Sequence, residues 1–310
     1  MKAITGPIGR EAPIEPIARE ARKGRNLVLA GRPGVGQSAV LEAVLDWLLV
    51  RQNSIVLHVR EHQAKGQFLE LARGLLESGL LKPSQLELDA GLDALDPAAL
   101  EWTQLRRSVN RLSIRDLTAA IVPALHARKD RVLIAVDDLT SVTPTLIAFW
   151  LAILDAAQLL ACASARKANV AKLWWKLAEI EIPPLPPEHA RALAQSYLQQ
   201  TGTLVESPPL FLAHLVQQAN GNPQALADLL ADASKERVVD KRRIREMKHA
   251  AGVKYLDFTP VMIVALASVV GARYLAIGTG DTELYIFAGM LAAVIISIRV
   301  FLFRGAGRAN

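Results

Sequence analysis

The chain has 310 residues, of which 51% are apolar but only 5% aromatic, and its formal net charge is +6. This length accommodates one large domain plus a smaller one, and the aromatic-poor composition favours helices over a β-sandwich. The only cysteine, Cys162, excludes an internal disulfide framework and a cysteine-based zinc site. The first twenty residues contain no apolar run after the first charge, so no signal peptide is expected.

The first feature with chemical content is a glycine-rich loop between an apolar strand and an apolar helix. Residues Leu27–Ala30 (LVLA) predict a short buried strand, GRPGVGQS follows, and AVLEAVLDWLLV then predicts a helix. This order indicates a phosphate-binding P-loop, because glycines let backbone N–H groups converge on phosphate oxygens beside a helix N-terminus. An ordinary strand-to-helix turn is the alternative. The predicted nucleotide-binding residues of this loop are Gly31, Pro33, Gly34, Val35, Gly36, Gln37, Ser38 and Ala39.

Two side chains of the loop decide its chemistry. Ser38 stands where a hydroxyl would ligate Mg²⁺, whereas Gln37 stands at the place of the usual lysine. Glutamine can donate a hydrogen bond to a phosphate oxygen but carries no charge. We therefore expect weaker phosphate binding, and a larger loss of stabilisation for the charge on a transferred γ-phosphoryl group.

A second acidic motif follows about a hundred residues later. One strand, Ser54–Val59, and several helices between Lys65 and Ala127 fill the interval. RVLIAVDDL (131–139) is then an apolar run ending in two aspartates, as a buried parallel strand with a Walker B motif requires. Asp137 is predicted to hold Mg²⁺, through water, and Asp138 to orient the attacking water. The alternative is a strand that ends in a helix N-cap.

The next segments predict a helix around Thr143–Asp155 and a buried strand, Gln158–Ala163, which makes Cys162 an inert core thiol. The strand runs into Ser164-Ala165-Arg166. Arg166 is a candidate catalytic residue that would sense the γ-phosphate, and a solvated strand end is the equal alternative. The six histidines are scattered, and we interpret His58 and His62, which straddle a strand end, as structural.

The remainder of the body predicts a last strand and a small helical lid. Glu179–Ile182 is the strand, PPLPP is a rigid linker, and three helical patterns follow at 188–200, 208–219 and 223–234. The predicted fold class is α/β: a P-loop parallel sheet sandwiched by helices, with a helical lid, followed by two transmembrane helices. The predicted domains are 1–184 (nucleotide binding), 185–235 (lid), 236–257 (basic juxtamembrane segment) and 258–304 (transmembrane hairpin).

Two apolar runs near the C-terminus predict the membrane hairpin. Residues 259–277 and 284–303 contain one charge each, Arg273 and Arg299, and each run is long enough to cross a bilayer. Eight lysines and arginines against three acids lie between Lys235 and Lys254, while the loop Gly278–Glu283 has no basic residue. The positive-inside rule predicts an integral membrane protein with cytoplasmic termini and this loop outside. This placement of charge disfavours nucleic acid as a partner; buried helices in a soluble domain are the alternative to the hairpin.

Together, these motifs resemble the AAA+ P-loop ATPase superfamily, especially its STAND and Cdc6-like archaeal ATPase branch, over residues 6–235. The resemblance rests on IGREAPIEPIARE, GRPGVGQS, LIAVDDL, the strand ending ASAR, and GNPQAL in the lid. It implies ATP and Mg²⁺ as cofactors, a moving lid, a homo-oligomer, and Arg10 in a box that borders the adenine. The chain departs from the family at Gln37 and at Gln224, where related lids often carry a phosphate-contacting arginine.

These observations predict a membrane-anchored, AAA+-like ATP-binding protein that acts as a nucleotide-responsive switch or assembly scaffold, with weak or absent hydrolysis. Its partners would be the lipid bilayer, further copies of the chain and a protein that the sequence does not identify. One alternative is an active ATPase motor that remodels a membrane or secretion complex. The other is a membrane-permeabilising effector whose hairpins act after oligomerisation. Whether ATP is hydrolysed stays open at this stage.

Overall fold

The fold is described from a computed structural model, in which the described residues are 11–51, 55–86, 102–127, 132–140, 142–165, 168–236, 238–249, 251 and 259–306. The chain divides into two compact units, Met1–Gly252 and Val253–Asn310. The first unit contains an α/β core and a helical lid. The second contains a pair of helices.

The core is built on a five-stranded, all-parallel sheet. Its strands are β1 (Leu27–Ala30), β2 (Ile55–Val59), β3 (Val132–Val136), β4 (Gln158–Ala163) and β5 (Ala178–Glu181), in the spatial order β2-β3-β4-β1-β5. Mostly apolar runs form the first four, because a parallel sheet covered on both faces buries the side chains of its central strands. β5 has the sequence AEIE and is an edge strand with exposed glutamates. The sheet confirms the predicted α/β class.

Helices cover both faces of the sheet, and alternate strand residues point into two separate cores. One core joins Leu27 and Leu29 to two helices, whereas Val28 points into the larger core on the opposite face. The helices of the first face are α1 (Glu11–Arg22) and α2 (Gln37–Arg51). Those of the second face are α3 (Ala64–Glu77), α4 (Trp102–Arg111), α5 (Ile114–His126), α6 (Ile147–Ala156) and α7 (Ala171–Trp174).

The lid follows the linker as a third core, and its packing continues beyond the boundary predicted at residue 235. Its helices α8 (Pro187–Thr201), α9 (Pro208–Ala219) and α10 (Pro223–Ala233) enclose an apolar centre. A two-stranded parallel ribbon of β6 (Leu204–Val205) and β7 (Val238–Val239), and the short helix α11 (Lys241–Glu246), complete it.

The lid segment beyond residue 235 has basic side chains on its exposed side and apolar side chains on its buried side. Val239 of β7, Ile244 of α11 and Met247, which caps α11, are fully buried in the lid core, while Arg242 and Arg245 of α11 are exposed. Because Ile244 and Met247 are three residues apart, one face of a single helical turn carries both. Part of the segment predicted as a juxtamembrane linker is therefore a structural element of the lid.

The second unit contains α12 (Thr259–Thr279) and α13 (Thr282–Ala306), joined by a tight turn with Gly280 at φ +72°. Near this turn, Arg273 Nη2 donates a hydrogen bond to Tyr285 Oη, and the guanidinium lies 4.6 Å from the centre of the Tyr285 ring. Many described apolar side chains of both helices are exposed, Tyr274 and Leu275 among them. Within the described part of the chain, no helix combines the length and the apolar character needed to cross a membrane.

The extended lid makes the first testable prediction. Replacing Ile244 by alanine should lower the free energy of unfolding by about 2–5 kcal/mol, because it removes a fully buried side chain and leaves a cavity. The matched control is Arg245→Ala on the adjacent, exposed position, which should change stability by no more than about 0.5 kcal/mol. Urea unfolding followed by circular dichroism measures both. Equal effects of the two variants would show that α11 is not packed on the lid.

Candidate functional site

The loop between β1 and α2 has the backbone shape of an anion cradle. Gly34 and Gly36 have φ values of +77° and +93°, in the left-handed region that favours glycine. The first helical backbone bond runs from Val40 N–H to Gly36 O, so the N–H groups of the preceding helical turn have no acceptor within the helix. These donors lie at the positive end of the α2 dipole, where a phosphate group is stabilised. The donors are those of Gln37, Ser38 and Ala39.

Gln37 lies in this turn, but its side chain is directed at the sheet. Gln37 Nε2 donates to Leu29 O and to Ala163 O, both at 2.8 Å. A primary amide has two N–H donors, so these two carbonyls use both of them. Leu29 and Ala163 belong to the neighbouring strands β1 and β4, and the amide therefore ties the ends of the two strands together. In this conformation Gln37 offers no donor to a phosphate.

The two aspartates at the end of β3 lie in different environments. Asp137 is mostly buried, and its Oδ1 is 2.8 Å from Nε2 of His58 on β2. Asp138 is more exposed, and its Oδ1 accepts a hydrogen bond from the backbone N–H of Thr140 at 2.7 Å. His62 Nδ1 lies 3.7 Å from Asp138 Oδ2. Both histidines that we interpreted as structural thus lie beside the two predicted catalytic-site acids.

The end of β4 is connected to the acidic motif through hydroxyl groups. Ser164 N–H donates to Thr140 Oγ1 at 3.0 Å, and the two hydroxyl oxygens are 3.2 Å apart. These contacts hold the chain after β4 against the loop after β3. Arg166, the predicted γ-phosphate sensor, and Arg10, predicted beside the adenine, lie outside the described residues, so both roles stay predictions.

A fully buried glutamine holds the loop that follows β3 and carries Asp137 and Asp138. Gln67 on α3 donates from Nε2 to the backbone carbonyl of Asp138 at 2.7 Å. The sequence reasoning missed Gln67, although a polar residue on the apolar face of a predicted helix is a signal that it has a buried partner.

The lid touches the P-loop through the start of α10. Asn222 caps this helix by accepting hydrogen bonds from the N–H groups of Gln224 and Ala225, and its Nδ2 donates to Pro33 O at 2.9 Å. Gln224 N–H also donates to Gly34 O at 3.3 Å. A Cβ atom at Gly34 would lie 2.8 Å from Asn222 Oδ1, so this contact requires glycine in the loop. The side chain of Gln224 is bonded instead to Asp228, at 2.9 Å.

Cys162 lies under the same edge of the sheet and is inert. Its side chain is buried, and burial raises the pKa of the thiol, with smaller contributions from the negative charges of Asp137 and Asp138. A thiol that stays protonated is a poor nucleophile and a poor metal ligand. Among the described residues, no three histidines, cysteines or acids come together as a metal site.

A cavity of about 330 Å³ adjoins the P-loop on the sheet face opposite α2. Its wall includes the loop residues Gly31 and Arg32, Ser164 after β4, and Trp174 of α7. It extends the space available at this edge of the sheet beyond the P-loop itself.

The residues present fit a nucleoside triphosphate with Mg²⁺. The glycine conformations and the unpaired first turn of α2 suit phosphate oxygens, while the exposed Ser38 and the Asp137 carboxylate are the oxygen donors that Mg²⁺ prefers. When bound, the metal ion would neutralise charge on the phosphates. The missing element is a cationic side chain at position 37, since Gln37 is neutral and its donors are bonded to the sheet.

Comparison with known proteins agrees with this architecture. Residues 20–170 match the family model of the AAA domain. Cdc6p from Pyrobaculum aerophilum is similar in structure, with a TM-score of 0.51, 12% sequence identity, and coverage of 93% of this chain and 82% of Cdc6p. Domain III of the replication initiation protein DnaA from Thermotoga maritima also matches, with a TM-score of 0.43, 13% identity, and coverage of 76% and 89%. No curated protein sequence matches the chain.

The chain therefore shares the fold of Cdc6p, and its residues 20–170 are similar to the AAA domain. AAA+ P-loop ATPases generally bind ATP and Mg²⁺. At 12% identity, this similarity shows the fold alone.

The lid contact makes the second prediction. Asn222→Ala removes both the cap of α10 and the bond to Pro33 O, and should lower the free energy of unfolding by about 1–2 kcal/mol. Asn222→Asp keeps an acceptor for the cap but cannot donate to Pro33 O. It should preserve the stability of α10 while residues 31–38 exchange their amide hydrogens faster. Hydrogen exchange read by mass spectrometry measures both segments. Identical exchange in the P-loop of the aspartate variant and the unaltered chain would contradict the contact.

Proposed function

We propose that this protein is a membrane-anchored, AAA+-type ATP-binding switch in which nucleotide is held by the P-loop backbone and is hydrolysed slowly or not at all. The observation that carries the proposal is the side chain of Gln37, whose two amide hydrogens are both donated to strand carbonyls. A charged group that approaches the β- and γ-phosphates is a major source of transition-state stabilisation in P-loop enzymes. The described site has every other part of the P-loop but not this one.

Binding without a cation at position 37 is supported by the rest of the site. The N-terminal turn of α2 and its dipole attract phosphate without any side chain. Ser38 and Asp137 would hold Mg²⁺, and Asp138 would orient water, although its Oδ1 is bonded to Thr140 N–H. We therefore expect ground-state binding to be less affected than turnover.

The lid is the element that would respond to nucleotide. It is bonded to the carbonyl oxygens of Pro33 and Gly34, on the same loop whose N–H groups would bind phosphate. A ligand that reorders the loop must change these bonds, and the lid would move with them. By the family resemblance, copies of the chain would assemble as a homo-oligomer with a protein partner that is still to be identified.

Among the described residues, no helix is both long and apolar enough to cross a membrane. The membrane part of the proposal rests instead on the apolar runs 259–277 and 284–303 of the sequence and on exposed apolar side chains, which include Leu275, Ile286 and Phe287. Water-exposed apolar surface on both members of a helix pair is unfavourable unless lipid or protein covers it. In the proposed orientation both termini are cytoplasmic and the turn around Gly278–Glu283 lies outside.

The third prediction tests the nucleotide site in the full-length chain. Gln37→Lys should tighten ATP binding about ten- to a hundredfold, because a charge-assisted hydrogen bond is worth roughly 1.5–3 kcal/mol. It should raise the turnover rate more than the affinity. Isothermal titration calorimetry and a phosphate-release assay measure the two effects. Gln37→Met, similar in length but without donors, is the matched control. It should be less stable because two strand carbonyls lose their donor, but, once circular dichroism shows that it is folded, its ATP affinity should lie within about threefold of the unaltered chain.

The outcomes separate the alternatives. Rapid turnover by the unaltered chain would replace the switch by an ATPase motor. Loss of ATP binding in Gln37→Met would show that the glutamine itself binds phosphate. No binding by any of the three proteins would leave a scaffold that has kept only the fold.

The fourth prediction tests the anchor. The full-length chain should stay in the membrane fraction after washes with high salt and alkaline carbonate. Val264→Asp combined with Val270→Asp should release it, because each acid near the middle of a membrane helix costs about 3 kcal/mol. Glu283→Gln in the turn is the control and should change nothing. A chain that is soluble and elutes as one defined oligomer would instead assign the exposed faces to contacts between copies.

A further inference from the structure

His58 occupies an unusual place for a polar side chain. It is the fourth of five residues of β2, a strand whose other members are all apolar, and it projects from the same sheet face as Val56. Val56 packs against the core beneath α2. His58 therefore lies on the P-loop side of the sheet, where a residue chosen only for packing would be apolar like its neighbours.

The neighbour of His58 is the predicted magnesium ligand. β2 and β3 are adjacent parallel strands, with His58 opposite Ala135. Asp137 follows Ala135 by two residues and lies beside the histidine. Nε2 of His58 lies 2.8 Å from Asp137 Oδ1, and the two side chains are only 17% and 15% exposed. The Asp137 backbone is also fixed, since its N–H donates to Val59 O at 3.0 Å. Asp137 is thus held by its backbone N–H and by one of its two carboxylate oxygens.

The direction of the hydrogen bond follows from the chemistry of the partners. An ionised carboxylate has only acceptors, so His58 must donate from Nε2. The bond uses Oδ1 and leaves Oδ2 available. Hydrogen bonds of this kind orient a ligating carboxylate and reduce the rotational freedom that it would lose on binding a metal.

We propose that His58 is a positioning residue for the Mg²⁺·nucleotide complex, which acts by holding the Asp137 carboxylate with Oδ2 directed towards the metal shell. This role rests on the proposed ATP binding, but it concerns a residue outside the P-loop and outside the acidic motif. His62 does not share it. Its ring is 75% exposed, and it lies 3.7 Å from Asp138, beyond hydrogen-bonding distance.

The role predicts a specific loss of coupling between Mg²⁺ and nucleotide. In the full-length chain, His58→Ala should weaken ADP binding about tenfold or more in Mg²⁺ buffer, as removal of a hydrogen-bond partner of a metal ligand does. In EDTA, affinity should stay within about twofold of the unaltered chain, because the P-loop donors are untouched. Isothermal titration calorimetry in the two buffers measures the ratio, and circular dichroism verifies the fold.

Two further variants separate positioning from packing. His58→Gln places an amide nitrogen close to the position of Nε2 and should restore most of the Mg²⁺ effect, whereas His58→Leu fills the space without a donor and should not. His62→Ala is the matched control on the neighbouring histidine and should retain the full Mg²⁺ effect. In an Asp137→Ala background, His58→Ala should cause no additional loss, because the carboxylate it positions is gone.

Three results would overturn the proposal. Equal weakening in Mg²⁺ and in EDTA would assign His58 to packing alone. A stronger Mg²⁺ effect in His58→Ala would mean that the histidine competes with the metal for Asp137. Recovery by leucine as complete as by glutamine would remove the need for a donor. If the unaltered chain bound no ADP in either buffer, the proposed function itself would fail, and this role with it.

Discussion

The constraint on which the site depends is the parallel direction of all five strands. Their carboxyl ends meet at one edge, where the ladder of hydrogen bonds stops and backbone groups need other partners. Here, the partners come from the residues of the site. Gln37 serves the carbonyls of Leu29 and Ala163, and Asp137 N–H serves that of Val59. Residues of the candidate site therefore also supply hydrogen bonds to the last backbone groups of the strands.

This dual use explains why glutamine is compatible with the fold at position 37. A side chain that left two buried carbonyl groups without donors would cost about 1–3 kcal/mol for each of them. The Gln37 amide satisfies both, and it is long enough to do so from the first turn of α2. What the amide does not supply is a charge. Glutamine at position 37 therefore satisfies the strand carbonyls but leaves the site without a cation there.

The features that the sequence predicts well are those set by local pattern. Mostly apolar runs predicted β1 to β4, and GRPGVGQS predicted the loop before α2, because sterics and periodicity act over a few residues. The direction of the Gln37 side chain was not predictable in this way, since its acceptor at Ala163 is 126 residues distant. The same holds for His58, whose meaning depends on β2 lying beside β3.

The C-terminal boundary of the lid was hard to predict from the sequence for a different reason. The segment KRRIREMK is dominated by charge, and its charge predicted a basic juxtamembrane segment before the apolar tail. Its two buried side chains, Ile244 and Met247, are too few to produce a strong amphipathic signal, yet they complete the lid core. In addition, Arg243 donates to Asp232 on α10, so part of the basic charge is used within the lid. A short helix can thus be fixed by two apolar side chains and by ion pairs to Asp232, Glu236 and Glu206, which its composition does not reveal.

The contact between the lid and the P-loop provides a path by which a change in the loop would reach the lid. Asn222 is bonded on one side to the first turn of α10 and on the other to Pro33 O, so a single side chain couples helix and loop. On the lid's other flank, Leu185 N–H donates to Gly221 O at 2.7 Å, and a Cβ at Gly221 would lie 2.7 Å from Pro184 Cβ. The linker is therefore packed directly against the residue before the cap. Because loop, cap and linker are in direct contact, a shift of the P-loop carbonyls would not be absorbed locally. It would displace the lid as a whole.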